Sequence, residues 1–439
     1  MSGTLQRKGN HMMRTAVVVG SGAGGAAAAR ELQGSFAVTV LEAGKEFQPL
    51  SLNLSWVDQL KRTGLLWDER EIQLLFPAMR IRKTADRMVM VNGIGTGGTT
   101  TLATGNGIKR DHDLKALGID LNAEFAELAA EISITTDHRS LWSRASRRLF
   151  DLCLEMGLQP ARLPKMGDYS RCVRCGRCVL GCRHAAKWDS RHFLRSAEEK
   201  GARLVTASRV EKIVIHNNRA TGVLLRKKLR TEFIPADLVL VAAGGFGTPV
   251  ILQNSGIPCE SRLFVDPVLC VATRWEKAGQ NKEISMPFVV ERDGFILAPY
   301  FDYLSYFFNR DWKAPAQDTS VLMIKLADTA QGLVRDGRIE KTLTDQDWAH
   351  LKQGVDLCKE IFARLGLSRE KSWLGTVNAG HPGGMLPLTA AEAATLHPGR
   401  LPENVYVADA TLFPKSLGCP PILTIMALAK KIAKICAQS

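Results

Sequence analysis

Thr15-Ala16-Val17-Val18-Val19-Gly20-Ser21-Gly22-Ala23-Gly24-Gly25 runs a β-branched apolar strand straight into a glycine-rich turn, with Gly20, Gly22 and Gly25 at G-x-G-x-x-G. Such a run suits a buried parallel strand. The alanine-rich stretch from Ala26 to Gln33 predicts a helix, and Ala37-Val38-Thr39-Val40-Leu41 predicts a second strand ending at Glu42. Each part has a physical task. Gly20 permits the tight turn, Gly22 lets a pyrophosphate approach the backbone, and Gly25 lets helix and strand pack closely. The helix N-terminus offers unpaired N–H groups to phosphate. Glu42, about twenty residues on, is placed to accept from ribose hydroxyls. The turn alone does not separate FAD from NAD.

A second signal lies at Cys172, Cys175, Cys178 and Cys182, spaced C-x2-C-x2-C-x3-C. Four thiols so close suit an iron–sulfur cluster. Structural zinc sites place two C-x2-C pairs a dozen or more residues apart, so zinc fits less well and free thiols remain a third reading. Cys182 is expected to close a four-iron cluster, 4Fe-4S in preference to 3Fe-4S. A remote fourth cysteine and a three-iron cluster stay open, because Arg183 stands where two-cluster ferredoxins carry Pro. The flanking Arg171, Arg174, Arg177, Arg183, His184 and Lys187 would favour the reduced cluster and attract an acidic carrier such as a ferredoxin or flavodoxin. Charge compensation of the thiolates alone is the plainer alternative.

The bulk properties agree with a redox enzyme. A chain of 439 residues predicts two or three packed domains. Its 45% apolar and 23% charged residues are those of a globular protein. No apolar stretch long enough for a membrane span is present. No signal peptide is read, and residues 1–12, ending Gly9-Asn10-His11-Met12, are expected to be vector-derived. Ten cysteines, six of them scattered, predict reduced thiols and a cytoplasmic setting. The net charge of +14 comes without a nucleic-acid motif, so no nucleic-acid partner is expected.

Three further blocks carry a resemblance. Asn92-Gly93-Ile94-Gly95-Thr96-Gly97-Gly98-Thr99-Thr100 is similar to the second glycine-rich loop of the glucose–methanol–choline (GMC) flavoprotein oxidoreductases. Ala243-Gly244-Gly245-Phe246-Gly247-Thr248-Pro249 resembles that family's internal signature. Asn404 to Pro414, followed by Leu423-Thr424-Ile425-Met426, resembles its closing motif. The resemblance implies bound FAD. It carries cofactor contacts to Gly20, Gly22, Ala23, Gly24, Gly25, Glu42 and Ala43, and to Gly97, Gly98 and Thr99. Val210 would meet the adenine, Asp409 the ribityl side, and Ala243, Gly244, Pro421 and Ile422 complete the set. The family's catalytic histidine falls on His381, in Ala379-Gly380-His381-Pro382-Gly383. An imidazole there can take a hydroxyl proton while hydride leaves the same carbon. Two departures stand out. Pro420 occupies the place of the family's second His or Asn, and Ala103 replaces a common Asn. Cys419 is then a candidate proton donor, with a small buried thiol as the plainer reading. Some members carry an iron–sulfur cluster, and Ala185-Ala186-Lys187-Trp188-Asp189-Ser190 matches the tail after a cysteine segment in long-chain alcohol oxidases.

The expected fold class is α/β. A Rossmann-like FAD-binding domain would be built from residues 13–110, 196–260 and 381–439. It would be joined to a β-sheet-based substrate domain over 261–380, with a helical bridge over 111–165 and a cysteine-rich cluster insertion over 166–195. Strands are expected around 287–291 and 320–325, with a helix over 348–365 preceded by the capping start Thr342-Leu343-Thr344-Asp345. The aromatic run Tyr300–Phe308 is expected to line a pocket for an apolar or ring-containing small molecule, or to pack a core. The function that follows is oxidation of a CH–OH group by hydride transfer to FAD, with electrons leaving through the cluster. Reduction of C=C or C=O in the reverse sense, a non-redox flavin lyase and an electron-transfer subunit are the alternatives.

Overall fold

The Thr15–Val19 strand lies at the centre of a five-stranded parallel sheet in a computed structural model that describes residues 13–63, 68–228, 230–368 and 371–438. The suspected tag over 1–12 falls outside the described residues. Across this sheet the order is Val405–Val407, Leu238–Val241, Thr15–Val19, Ala37–Leu41, Arg203–Val205. The central strands are buried on both faces, so they read as unbroken apolar runs rather than alternating ones. The Ala23–Glu31 helix packs on the sheet and against the Ile422–Gln438 helix. Ala26 to Ala29 are almost entirely buried there, between the sheet and the helices on either side, which explains the choice of small side chains: a larger residue would push one of these neighbours away. An antiparallel three-stranded meander over Arg209–His216, Arg219–Lys227 and Arg230–Pro235 flanks it.

A second, larger sheet carries the substrate side. Its order is Met79–Lys83, Val89–Gly93, Asn378–Ala379, Val268–Arg274, Thr319–Leu326, Phe295–Pro299, Phe288–Arg292, Ala161–Arg162, with Ser372–Leu374 also paired to Val268–Arg274. Here the boundaries drawn from sequence need correcting. The Met79–Lys83 and Val89–Gly93 hairpin belongs to this sheet, not to the nucleotide domain, because Val89 and Met90 pair in parallel with Asn378 and Ala379. Ala161–Arg162, placed in the helical bridge, pairs with Phe288–Val289. Both segments are short and rich in basic residues, so neither announces its sheet. The Asp345–Arg364 helix covers the sheet, and its capping box forms between Thr344 and Asp347, two residues beyond the Thr342–Asp345 start read from sequence, and the helix begins three residues earlier than expected.

One buried ion pair fixes the edge of the site. Lys341 Nζ and Asp328 Oδ2 are 2.7 Å apart with neither side chain exposed. Asp328 also accepts from the backbone N–H groups of Val265 and Asp266. Removing one partner strands a buried charge. Asp328→Ala is expected to lower stability by about 3–5 kcal/mol in denaturant unfolding followed by tryptophan fluorescence.

Candidate active site

The glycine turn and its neighbours enclose a cavity of about 810 Å3, within the range of large ligand sites. Gly20 turns through φ +99, and a side chain at Gly25 would run into the Gly20 carbonyl. Gly22 has open space before it and lines the cavity. Gly20, Ala23, Gly24, Glu42, Ala43, Gly98, Thr99, Val210, Ala243, Gly244, Asp409, Pro421 and Ile422 line it as well. Gly25 and Gly97 do not. They stand one layer behind, Gly97 donating its N–H to Ser21 Oγ at 3.1 Å.

Glu42 lines the cavity and also binds the loops around it. Its Oε2 accepts from the Ser21 hydroxyl (2.6 Å) and N–H (3.2 Å), and its Oε1 from the N–H groups of Gly44 (2.8 Å) and Gly95 (3.1 Å). The carboxylate thus clamps the two glycine loops together. Asp409 plays a similar part at the other end, accepting from Gly244 N–H (2.8 Å) and the Thr248 hydroxyl (2.5 Å). Burial holds its carboxyl above the usual range.

A second chamber of about 180 Å3 adjoins the first. Its walls are mostly apolar, from Leu52, Ile72, Leu102, Met286, Phe307 and Met323 among others, and include Tyr300, Tyr303, Leu304 and Phe308 of the aromatic run. Thr99, Ala103, Gly380, His381 and Ile422 line both spaces, so the imidazole stands at the junction. A quarter of its side-chain surface remains open. Lys325 Nζ lies 2.9 Å from His381 Nδ1 and 2.7 Å from Asp266 Oδ2, and the Ser416 hydroxyl donates to Asp266 Oδ1. Burial, then the Lys325 charge, pushes the imidazole below its ordinary value, with Asp266 pulling the other way. His381 is therefore neutral at physiological pH.

The cysteine run meets this junction from the opposite side. The Cys178–Leu180 turn packs on Gly98–Leu102, and Val179 and Leu180 form part of the chamber wall. Lys187 donates to the Thr100 and Thr101 carbonyls (2.9 and 3.1 Å), and Ser190 shares a hydrogen bond with Thr100 Oγ1 at 2.9 Å. The four thiols lie within electrostatic reach of one another: burial and its three neighbours push the Cys172 thiol up to about 11. The Tyr169 hydroxyl is buried with no hydrogen-bond partner, against Cys178, Cys172 and Cys182. Fully buried Lys165 and Lys187 flank Cys178. An orphaned hydroxyl and two buried lysines near four thiols suit an anionic, sulfur-rich group, whose charge would oppose the burial that pushes both lysines down, Lys165 to about 7. The thiols are gathered but not closed into a ligand sphere: among the described residues no three His, Cys, Asp or Glu side chains stand in metal-holding arrangement.

The family model for GMC oxidoreductases matches residues 15–281. The chain belongs to the GMC oxidoreductase family. It is an enzyme of FAD-dependent oxidoreductase type, and the glycine-lined cavity suits that cofactor. This GMC protein is 28% identical over 423 residues to an uncharacterized protein of Methanocaldococcus jannaschii, covering 95% of this chain and 98% of that one. It is 26% identical to a long-chain-alcohol oxidase of Arabidopsis thaliana, over 58% of this chain and 37% of that one. It therefore spans well under half of the plant protein. Among solved structures it is similar to pyridoxine 4-oxidase from Mesorbium loti, with a TM-score of 0.72 and 16% identity over 96% of this chain and 98% of that one. Among the described residues no helix is long and apolar enough to cross a membrane.

Within the GMC frame, Cys419 lines neither cavity. It is 1% exposed and set near Arg110, and burial pushes its thiol up to about 11. It sits behind the chamber wall as a small apolar side chain, while its neighbour Pro420 faces the chamber. Lys325 and Asp266 were not singled out from sequence. The available signal was a lone charge in Ser320-Val321-Leu322-Met323-Ile324-Lys325-Leu326, a strand buried throughout, where an unpaired lysine is not tolerated. Because Gly25 holds the helix against the Gly20 turn, Gly25→Val is expected to yield folded protein without flavin, checked by the flavin released on denaturation together with circular dichroism.

Proposed function

We propose that this protein oxidises a CH–OH group on an apolar, chain- or ring-shaped small molecule, with FAD in the larger cavity and an iron–sulfur cluster at Cys172, Cys175, Cys178 and Cys182. The observation that carries this reading is the position of His381 at the junction of the two cavities, with the cysteine turn walling the same chamber. FAD, when bound, supplies an acceptor for hydride that can give up its electrons one at a time. The protein's own residues do the rest. The apolar walls draw in the substrate body and exclude water, and His381 Nε2 takes the hydroxyl proton. Glu42 and Asp409 hold the loops against which the cofactor lies. The likeness to a long-chain-alcohol oxidase supports an alcohol substrate.

Electrons are proposed to leave through the cluster to an acidic carrier of ferredoxin or flavodoxin type. Cys175 is exposed, and Arg171, Arg174, Arg183 and His184 are exposed around it. Arg177 instead turns inward, donating to the Leu50 and Leu52 carbonyls at 2.8 Å, and the exposed Arg183 also donates to Leu50, so only part of the basic set is available to a partner. None of the ten cysteines is paired, which supports a reducing, cytoplasmic setting. The test is anaerobic purification with flavin, iron and sulfide counts, followed by stopped-flow bleaching with long-chain and aromatic alcohols. Flavin bleaching followed by cluster reduction supports the reading. Bleaching by a reduced ferredoxin alone, with no alcohol effective, would reverse the direction of the reaction.

A further inference from the structure

The family's second polar group is replaced by Pro420, yet the chamber holds a buried amine in contact with the histidine. Lys325 projects from a strand in which every other residue is also buried, and its side chain is only 2% exposed. Lys325 Nζ is nearer to Asp266 Oδ2 (2.7 Å) than His381 Nδ1 is (3.4 Å). The immediate partner of the imidazole is thus the amine, and the carboxylate serves the amine. Asp266 is itself fixed, its N–H donating to Asp328 at 2.8 Å and its Oδ1 accepting from Ser416. A buried ammonium needs one carboxylate for balance. The contact with a ring nitrogen adds nothing to that balance, but it does determine which nitrogen carries the imidazole proton.

We propose that Lys325, seated on Asp266, is a positioning residue that sets the tautomer of His381 and receives the substrate proton through it. This rests on the catalytic reading of His381. As an ammonium, Lys325 donates to Nδ1, and the neutral imidazole then carries its proton on Nε2. As an amine, Lys325 accepts from Nδ1–H and leaves the Nε2 lone pair free. When a substrate hydroxyl is oxidised, its O–H bond breaks and Nε2–H forms. Nδ1–H breaks and Nζ–H forms, while hydride leaves the same carbon with its electron pair for the flavin. The imidazole ends neutral in the other tautomer, and the positive charge rests on Lys325 against the Asp266 carboxylate. Run backwards, the same chain delivers a proton to a carbonyl oxygen. A single residue therefore couples direction to its own protonation state: oxidation needs the amine, reduction the ammonium. The groups facing this chain are Asp266 and His381, Cys419 with Arg110 beyond it, and Asp328 with Lys341 behind Asp266.

The test uses FAD-loaded protein labelled with 15N-histidine, in which two-bond 1H–15N correlation reads the His381 tautomer without any substrate. Across a pH titration the wild type is expected to move its imidazole proton from Nε2 to Nδ1. Lys325→Met should abolish that switch. Lys325→Arg, which stays charged, should hold the Nε2–H form at every pH. A wild type whose proton stays on one nitrogen across the titration overturns the inference, as does a switch that survives in either variant. If Lys325→Met fails to fold, the wild-type titration and Lys325→Arg decide between them. Full alcohol turnover by His381→Asn would instead sink the catalytic reading and leave the tautomer result standing.

Discussion

His381→Ala is expected to keep its flavin and to lose alcohol-driven flavin bleaching by about a hundred- to ten-thousand-fold, the usual contribution of a positioned general base. The imidazole is not among the loop-clamping residues: its side-chain partners are Lys325 and Asp266, and its backbone N–H donates to the Val265 carbonyl. Its removal leaves Glu42 and Asp409 with their partners intact, so cofactor retention is the internal control. The wild-type imidazole is held below its ordinary value by burial and by the Lys325 charge. Protonation of the ring itself therefore limits activity only on the acid side of that value. In His381→Ala this acid limb should vanish from the pH profile of the residual rate. Stopped-flow absorbance with a long-chain primary alcohol measures both quantities. A variant that bleaches as fast as the wild type would remove His381 from the chemistry.

The parts of this protein that were legible in its sequence are those whose physics is local. The Gly20–Gly25 turn needs its glycines within a few residues of each other, and a cap closes within one turn, so a capping start near Thr342–Asp345 was legible although the box forms two residues on, between Thr344 and Asp347. The aromatic run over Tyr300–Phe308 was legible as a pocket wall or a core segment, and it serves the chamber. What was hidden depends on distant partners. The four donors that saturate Glu42 come in part from Gly95, which is 53 residues away. Lys325 and Asp266 are separated by 59 residues and meet because Val268 pairs with Lys325 across adjacent strands, while Asp328 holds the Asp266 turn. The basic side chains of the cysteine run looked alike in sequence. In the fold, Arg177 and Arg183 secure the Leu50 carbonyl and Lys187 the Thr100 carbonyl, so charge alone could not separate surface from scaffold.

Cys178→Ser is expected to strip most of the iron and acid-labile sulfide from anaerobically prepared protein while FAD remains bound. Of the four thiols, Cys178 sits in the turn packed on Gly98–Leu102 and lies between the buried Lys165 and Lys187, whereas Cys175 is exposed. Cys178 thus belongs to the turn that packs on the glycine loop, and Lys165 and Lys187 favour its thiolate against the burial that raises its thiol. Transfer of electrons to a one-electron dye should collapse, while bleaching of the flavin by alcohol persists. Substrate affinity should fall too, because Val179 and Leu180 follow Cys178 directly and line the chamber, so a loosened turn opens its wall. Iron and sulfide analysis, visible and EPR spectra, and alcohol-concentration dependence of bleaching measure the three effects separately. Wild-type protein holding zinc, or no metal at all, under strictly anaerobic preparation would end the cluster assignment. Full iron and sulfide in Cys178→Ser would end it at this residue. Either result would leave the GMC fold, the FAD cavity and the Lys325–His381 contact untouched, since these share no ligand with the cysteine run.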